Sequence, residues 1–146
     1  MKKILIISFF IFTIALVLST SNSFASSSPR GVVINKTGMQ YNTAYSYGPY
    51  RKTNTFHQYY FLNSAKTAMT DPCLECRFQV VLTGGLGSEI FKDMKMNTRK
   101  WFTNSLINEP NYDYTLSVKR TDFTLLKTDI ESTWAISPAT ETYPFS

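Results

Sequence analysis

The chain has 146 residues, with 15 Lys and Arg against 10 Asp and Glu, one His, two Cys and 15% aromatic residues. This length predicts one domain and argues against a multidomain enzyme or a large cofactor fold. A single His excludes a multi-histidine metal site, and a net charge of +5, two of whose cations lie in the first three residues, is too mild to predict nucleic-acid binding.

Met1–Ala25 reads as a secretory signal peptide. Lys2 and Lys3 form a basic start, and Ile4–Leu18 is an apolar run broken only by Ser8 and Thr13. Ser23-Phe24-Ala25 is a small-x-small cleavage site. No basic cluster follows Leu18, the pattern of an export signal rather than an N-terminal anchor. The expected product is a secreted, extracellular protein with no permanent membrane span after cleavage. It comprises a single β-rich domain over 26–138 and a loosely held tail at 139–146.

From Gly31 onward Thr, Val, Ile, Tyr and Phe dominate, a bias toward pleated, half-buried surfaces. Gly31–Asn35 predicts a first strand, stopped by a turn at Lys36-Thr37-Gly38. Met39–Tyr47 alternates weakly and is broken by Gly48-Pro49. His57–Leu62 predicts a strand. Arg77–Thr83 predicts another, with Phe78, Val80 and Leu82 on one face and Gln79 and Val81 on the other. Gly84–Ser88 predicts a loop. Residues 88–107 fit two patterns: a strand to Met96 followed by one over Lys100–Ile107, or one helix with Ile90, Phe91, Met94 and Trp101 at partial helical spacing. Tyr112–Arg120 predicts a strand with Tyr112, Tyr114, Leu116 and Val118 on one face. Phe123–Thr128 predicts its return, and Ile130–Ile136 the last strand. The expected fold is all-β, a small antiparallel sandwich or barrel of about seven or eight short strands, with an α+β domain carrying one helix within 88–107 as the alternative.

Tyr114–Arg120 followed by Ser132-Thr133-Trp134-Ala135-Ile136-Ser137-Pro138 resembles the ending of an uncharacterised group of small secreted proteins of Gram-positive bacteria. In that group a charged strand precedes a Gly-x-Trp-Ser-Pro-like closing strand. Tyr50-Arg51-Lys52-Thr53-Asn54 is similar to its early Arg-x-Thr-Asn segment. This chain carries Ser132-Thr133 where the group has Gly, and Ala135-Ile136 is inserted before Ser-Pro. The resemblance implies a secreted β domain.

Cys73 and Cys76 form a Cys-x-x-Cys motif. Outside the cytosol such a pair oxidises, and the expected role is a disulfide pinning the turn before Arg77. A redox-active pair wants its first Cys at a helix N-terminus, whereas a β run follows here. His57 reads as a packing or surface residue, since no nucleophile and acid accompany it in sequence. Thr83–Glu89 reads as a hairpin loop rather than a phosphate cradle, because the Gly-Lys-Ser/Thr signature is absent. Asp113, Asp122, Asp129 and Glu131 are the acids available for paired-carboxylate chemistry. Trp101 and Trp134 read as core anchors. Tyr41, Tyr45, Tyr47, Tyr50, Tyr59 and Tyr60 cluster beside Arg51 and Lys52, and exposed tyrosines suit sugars or protein partners. Tyr47, Tyr50 and Arg51 are therefore the expected contact surface. No catalytic residue, metal or cofactor is nominated.

The function expected from these residues is a secreted, non-enzymatic protein binding at or outside the cell envelope, its partner a cell-wall polymer or another envelope protein. The alternatives are a bacteriocin-like secreted toxin and an exported thiol-disulfide oxidoreductase using Cys73 and Cys76.

Overall fold

Alternating β-branched and aromatic residues build eight strands in residues 30–139, the part of the chain described by the computed structural model. The expected leader at 1–25 and all but the first residue of the expected tail lie outside the described residues. The order is β1 (Gly31–Met39), β2 (Ala44–Arg51), β3 (Tyr59–Thr67), β4 (Phe78–Gly84), β5 (Gly87–Met94), β6 (Thr98–Trp101), a 3-10 turn at Ser105–Ile107, β7 (Asp113–Arg120) and β8 (Thr128–Ala135). They form two four-stranded antiparallel sheets, ordered β1-β8-β3-β6 and β2-β7-β4-β5, packed against each other as an all-β sandwich.

The core follows from period two, which sends successive side chains to opposite faces of a strand. In β4 Phe78, Val80 and Leu82 point inward, facing the same core as Tyr114, Leu116 and Val118 of β7. In the other sheet Ile130 and Trp134 of β8 and Tyr60, Leu62 and Ala65 of β3 complete the interior.

Four expectations change, and two of the changes are β-bulges, which add a residue to one strand and so break its alternation. The expected turn at Lys36–Gly38 lies inside β1, where the register with β8 shifts between Lys36 and Met39 and Gly38 takes φ 65. Gly48-Pro49 does not end the second strand, because the register with β7 shifts between Tyr47 and Tyr50 and pairing resumes. Over 88–107 the strand pattern holds in β5, but the second strand expected over Lys100–Ile107 does not, since β6 ends at Trp101 and a 3-10 turn takes Ser105–Ile107. The partial helical spacing behind the one-helix alternative arises from a shift between Phe78 and Val80 that pairs Phe78 with Met94 and Val80 with Phe91. Finally, Phe123–Lys127 is an open connection, not a strand.

That connection is braced by a buried cation. Arg120 is 3% exposed. Its guanidinium donates to both carboxylate oxygens of Asp122 (2.6 Å at the closest), to the Leu126 carbonyl at 3.2 Å and to the Thr128 hydroxyl. Asp122 also accepts the Arg77 backbone N–H at 2.6 Å. The pair thereby ties the ends of β4 and β7 in one sheet to the start of β8 in the other.

The β4–β5 hairpin depends on glycine for space as well as conformation. Gly84 takes φ 146, and a Cβ there would lie 2.3 Å from the Asp113 carbonyl oxygen and 2.8 Å from the Tyr114 Cα. Both obstacles are backbone or rigidly packed, so they cannot yield. Gly84→Ala is expected to cost about 2–4 kcal/mol of folding stability, measured by urea unfolding. A loss below about 0.5 kcal/mol, the range of neutral surface changes, would show that β7 gives way instead.

Candidate functional site

The expected contact surface does not assemble as one exposed patch. Tyr47 and Tyr50 are half-buried and pack against the core, with the Tyr50 ring centroid 5.8 Å from that of Trp134. Burial, and after it the neighbouring Tyr45, raises the Tyr47 pKa above the ordinary tyrosine value. Arg51 faces solvent and bridges Asp113 at 3.0 Å. Inward-facing tyrosines extend the core under β2, so the cluster that marks this segment in sequence is largely packing.

The opposite sheet carries a different set of rings. Because Tyr60, Leu62 and Trp134 point inward, Tyr59 and Phe61 of β3 face outward. The pairing of β3 with β6 sets Trp101 opposite Tyr59 and Arg99 opposite Phe61. Tyr59 and Trp101 lie 4.7 Å apart at 59°. The Arg99 guanidinium sits 4.9 Å from the Tyr59 centroid and 5.3 Å from that of Phe61, in range of a cation–π attraction. Ala135 and Thr133 of β8 lie on the other side of Tyr59 and Phe61, and Val33 of β1, 72% exposed, continues the second row. Small side chains at 133 and 135 leave the rings standing above a low floor.

A buried polar network lies directly behind this ring pair. Gln58, next to Tyr59, accepts the Trp134 indole N–H on Oε1 at 3.1 Å and donates Nε2–H to the Ile107 carbonyl at 2.6 Å. Its backbone N–H goes to the Asn108 side chain at 2.7 Å, and its carbonyl accepts the N–H of Phe102, the residue after Trp101, at 2.9 Å. Asn108 in turn donates to the Phe102 carbonyl at 2.8 Å. With the Gln58 side chain hydrogen-bonded at both its oxygen and its nitrogen in the interior, the backbone under Tyr59 and Trp101 is held in one geometry.

Farther along the same outer face lies a polar groove of about 280 Å³, lined by Asn35 of β1, Ser64 and Lys66 of β3, Asp129 and Glu131 of β8, and Asp71 from the β3–β4 connection. Seven residues of β3 separate Tyr59 from Lys66, roughly 20 Å of strand. Rings, cation and groove thus form one elongated open surface.

The remaining candidate residues are dispersed. His57 lies in the β2–β3 connection, half-buried. Gly84-Gly85-Leu86 is a tight hairpin, whose Leu86 N–H is spent on the Leu106 carbonyl at 3.3 Å. Of the four carboxylates, Asp113 is engaged by Arg51 and Asp122 by Arg120. Asp129 and Glu131 alone share a hollow, and Asp129 there accepts the Gly38 N–H at 2.8 Å. Trp134 is a core anchor as expected, whereas Trp101 belongs to the outer ring pair. Tyr59-Tyr60-Phe61 held the signal for that pair, since alternation must put its first and third residues on the face away from the second.

Cys73 and Cys76 are joined in a disulfide with a Cα–Cα separation of 5.5 Å. Both are buried, and β4 rather than a helix follows. The Cys73 N–H donates to the Ala65 carbonyl at 2.8 Å, which seats the small loop against β3. The geometry is that of a staple. Replacing both cysteines by alanine is expected to cost about 2 kcal/mol from loop entropy, a fall of roughly 5–10 °C in Tm. Calorimetry with and without reductant checks this, and an unchanged Tm would show that the bond holds nothing.

Partial burial acts against the Asp122 carboxylate, but hydrogen bonds from Arg120 and the Arg77 N–H outweigh it and hold its pKa below the ordinary 3.8. A carboxylate whose pKa falls on folding contributes stability that is fully present above its unfolded value. That contribution is lost as pH drops below 3.8 toward the folded value. Asp122→Asn is therefore expected to be less stable near neutrality and to lose less stability on acidification, read from thermal unfolding across that range. Parallel curves for the variant and the parent would refute the linkage.

Comparison with known proteins finds no matching family model, no matching curated protein and no matching solved structure.

Proposed function

We propose that this protein is exported and acts outside the cell by binding, without catalysis, an anionic polymer of the cell envelope. The contact surface in this reading is the ring end of the outer face of the β1-β8-β3-β6 sheet, with the carboxylates of the groove bounding it on the far side. The observation that carries it is the Tyr59–Trp101 pair with Arg99 laid across Tyr59 and Phe61. Flat rings offer apolar faces to sugar rings, and a guanidinium beside them recognises phosphate or carboxylate. Arg99 is exposed on β6, which among the described residues is an edge strand paired with β3. Edge cations also discourage sheet-to-sheet aggregation, but that role does not require rings stacked beside them. An open surface suits a polymer held by weak contacts better than a small substrate enclosed in a cleft.

Export is supported by the basic start, apolar run and small-x-small site in residues 1–25. The disulfide fits an oxidising compartment. Both features agree with a partner outside the cytosol.

The test is co-sedimentation with purified cell walls, before and after extraction of their anionic polymers. The parent is expected to pellet with intact walls and stay in solution with extracted ones, with retention weakened by salt. Arg99→Gln is expected to weaken retention about tenfold, equivalent to 1.4 kcal/mol. The position is exposed, so the fold should persist, checked by an unchanged Tm. Equal retention of parent and variant would remove this surface from consideration, and equal retention on extracted walls would remove the anionic polymer.

A further inference from the structure

The end of the sandwich away from Tyr59 gathers three connections, at 40–43, 68–77 and 121–127. There Thr128 of β8 pairs with both Met39 and Thr67, the last residues of β1 and β3. The 121–127 connection is held rigidly by Arg120, as described above, and by a turn in which the Thr124 hydroxyl accepts the Leu126 N–H at 3.0 Å. On this braced loop Phe123 is 77% exposed and Leu125 is 92% exposed. Tyr41 from the 40–43 connection meets Phe123 edge-on at 5.3 Å, and a shallow hollow runs between Tyr41, Phe123, Leu125 and Lys127.

A monomer gains nothing by holding two large apolar side chains in water on a rigid support. Clustered exposure of this kind marks an interaction site. We infer that this corner docks on an anionic lipid bilayer, with Phe123 and Leu125 inserted among the acyl chains and Tyr41 at headgroup level. Shape and charge choose this occupant. The tips are convex, and a fluid bilayer closes around protruding side chains without a preformed socket. Tyrosine, apolar in its ring and polar at its hydroxyl, is suited to the interface. Lys36 and Lys127 flank the corner, with Lys36 over the Tyr45 ring at 4.6 Å and the Lys127 stem beside Gly38. Asp122 is ion-paired with Arg120, and Asp129, which accepts the Gly38 N–H, lies in the groove beside Glu131. Asp71 and Glu75 lie on the neighbouring 68–77 connection, with Glu75 bridged to Arg77, and bound the basic corner on that side. This surface is separate from the ring face and does not rest on the envelope-polymer reading.

The test uses the full chain with vesicles of zwitterionic phospholipid, alone or mixed with anionic phospholipid. Both native cysteines are paired, so Leu125→Cys accepts an environment-sensitive dye at one site. The expected result is a blue shift of the dye on mixed vesicles and none on zwitterionic ones. Phe123→Ser with Leu125→Ser is expected to reduce partition onto mixed vesicles about tenfold or more, since burial of two large apolar side chains is lost. Lys36→Gln with Lys127→Gln should narrow the difference between vesicle types, while Arg99→Gln with Lys100→Gln should leave it unchanged. Unshifted dye emission, equal partition of parent and serine variant, or self-association through the corner by a chain that ignores vesicles would each overturn the inference.

Discussion

One buried guanidinium ties the two sheets together at one end of the sandwich. Arg120 leaves water almost completely, and its charge is compensated by Asp122, the Leu126 carbonyl and the Thr128 hydroxyl. Removing one member of such a pair leaves an uncompensated buried charge, at a cost of about 3–5 kcal/mol. Its position matters more than its net energy. Thr128 is the first residue of β8, so the contact fixes where that strand begins. Counting by two from there, Ile130, Ser132 and Trp134 face the core, while Asp129, Glu131 and Thr133 face outward. A slip of one residue would exchange the two sets, putting Trp134 in water and carboxylates in the core.

The far end is secured by neutral hydrogen bonds instead. Gln58 joins β3, β8 and the segment after β6 through its side chain and backbone. A buried amide bonded at both its oxygen and its nitrogen adds specificity, because few other arrangements satisfy both. Tyr59 and Trp101 each adjoin a member of this network, so the ring pair stands on a rigid base. Preorganisation of that kind reduces the entropy lost on binding. The opposite corner is built the same way, with an ion pair as its base and the exposed Phe123 and Leu125 as its tips.

Strands whose alternation is unbroken were legible in the chain. Phe78, Val80 and Leu82, and likewise Tyr114, Leu116 and Val118, turn to the core as their spacing predicts. The cysteine pair was legible too, from its spacing and the β run that follows it. What stayed hidden sits at bulges and at the buried ion pair. Nothing local marks Lys36–Gly38 as a bulge rather than a turn, because both use a glycine at positive φ and the partner strand decides between them. Phe91 and Met94 both pair into β4 across an added residue, and this imitates a helical interval. Phe123 and Leu125 alternate as strand residues do, but no strand pairs with them and Arg120 ties their backbone into a loop.

The tyrosines draw the same division most sharply. Composition and spacing determine that the chain is sheet-forming, that its two cysteines can close a small loop, and that aromatic residues are concentrated between 41 and 60. These are properties of neighbouring residues, set by propensity and period. Which tyrosines meet solvent is decided by how the two sheets face each other. Tyr47 and Tyr50 turn inward onto Trp134 and the core, whereas Tyr59 turns outward to meet Trp101 from forty-two residues away along the chain. Only tertiary pairing brings such residues together, because cross-strand register depends on bulges and buried contacts that no single segment encodes.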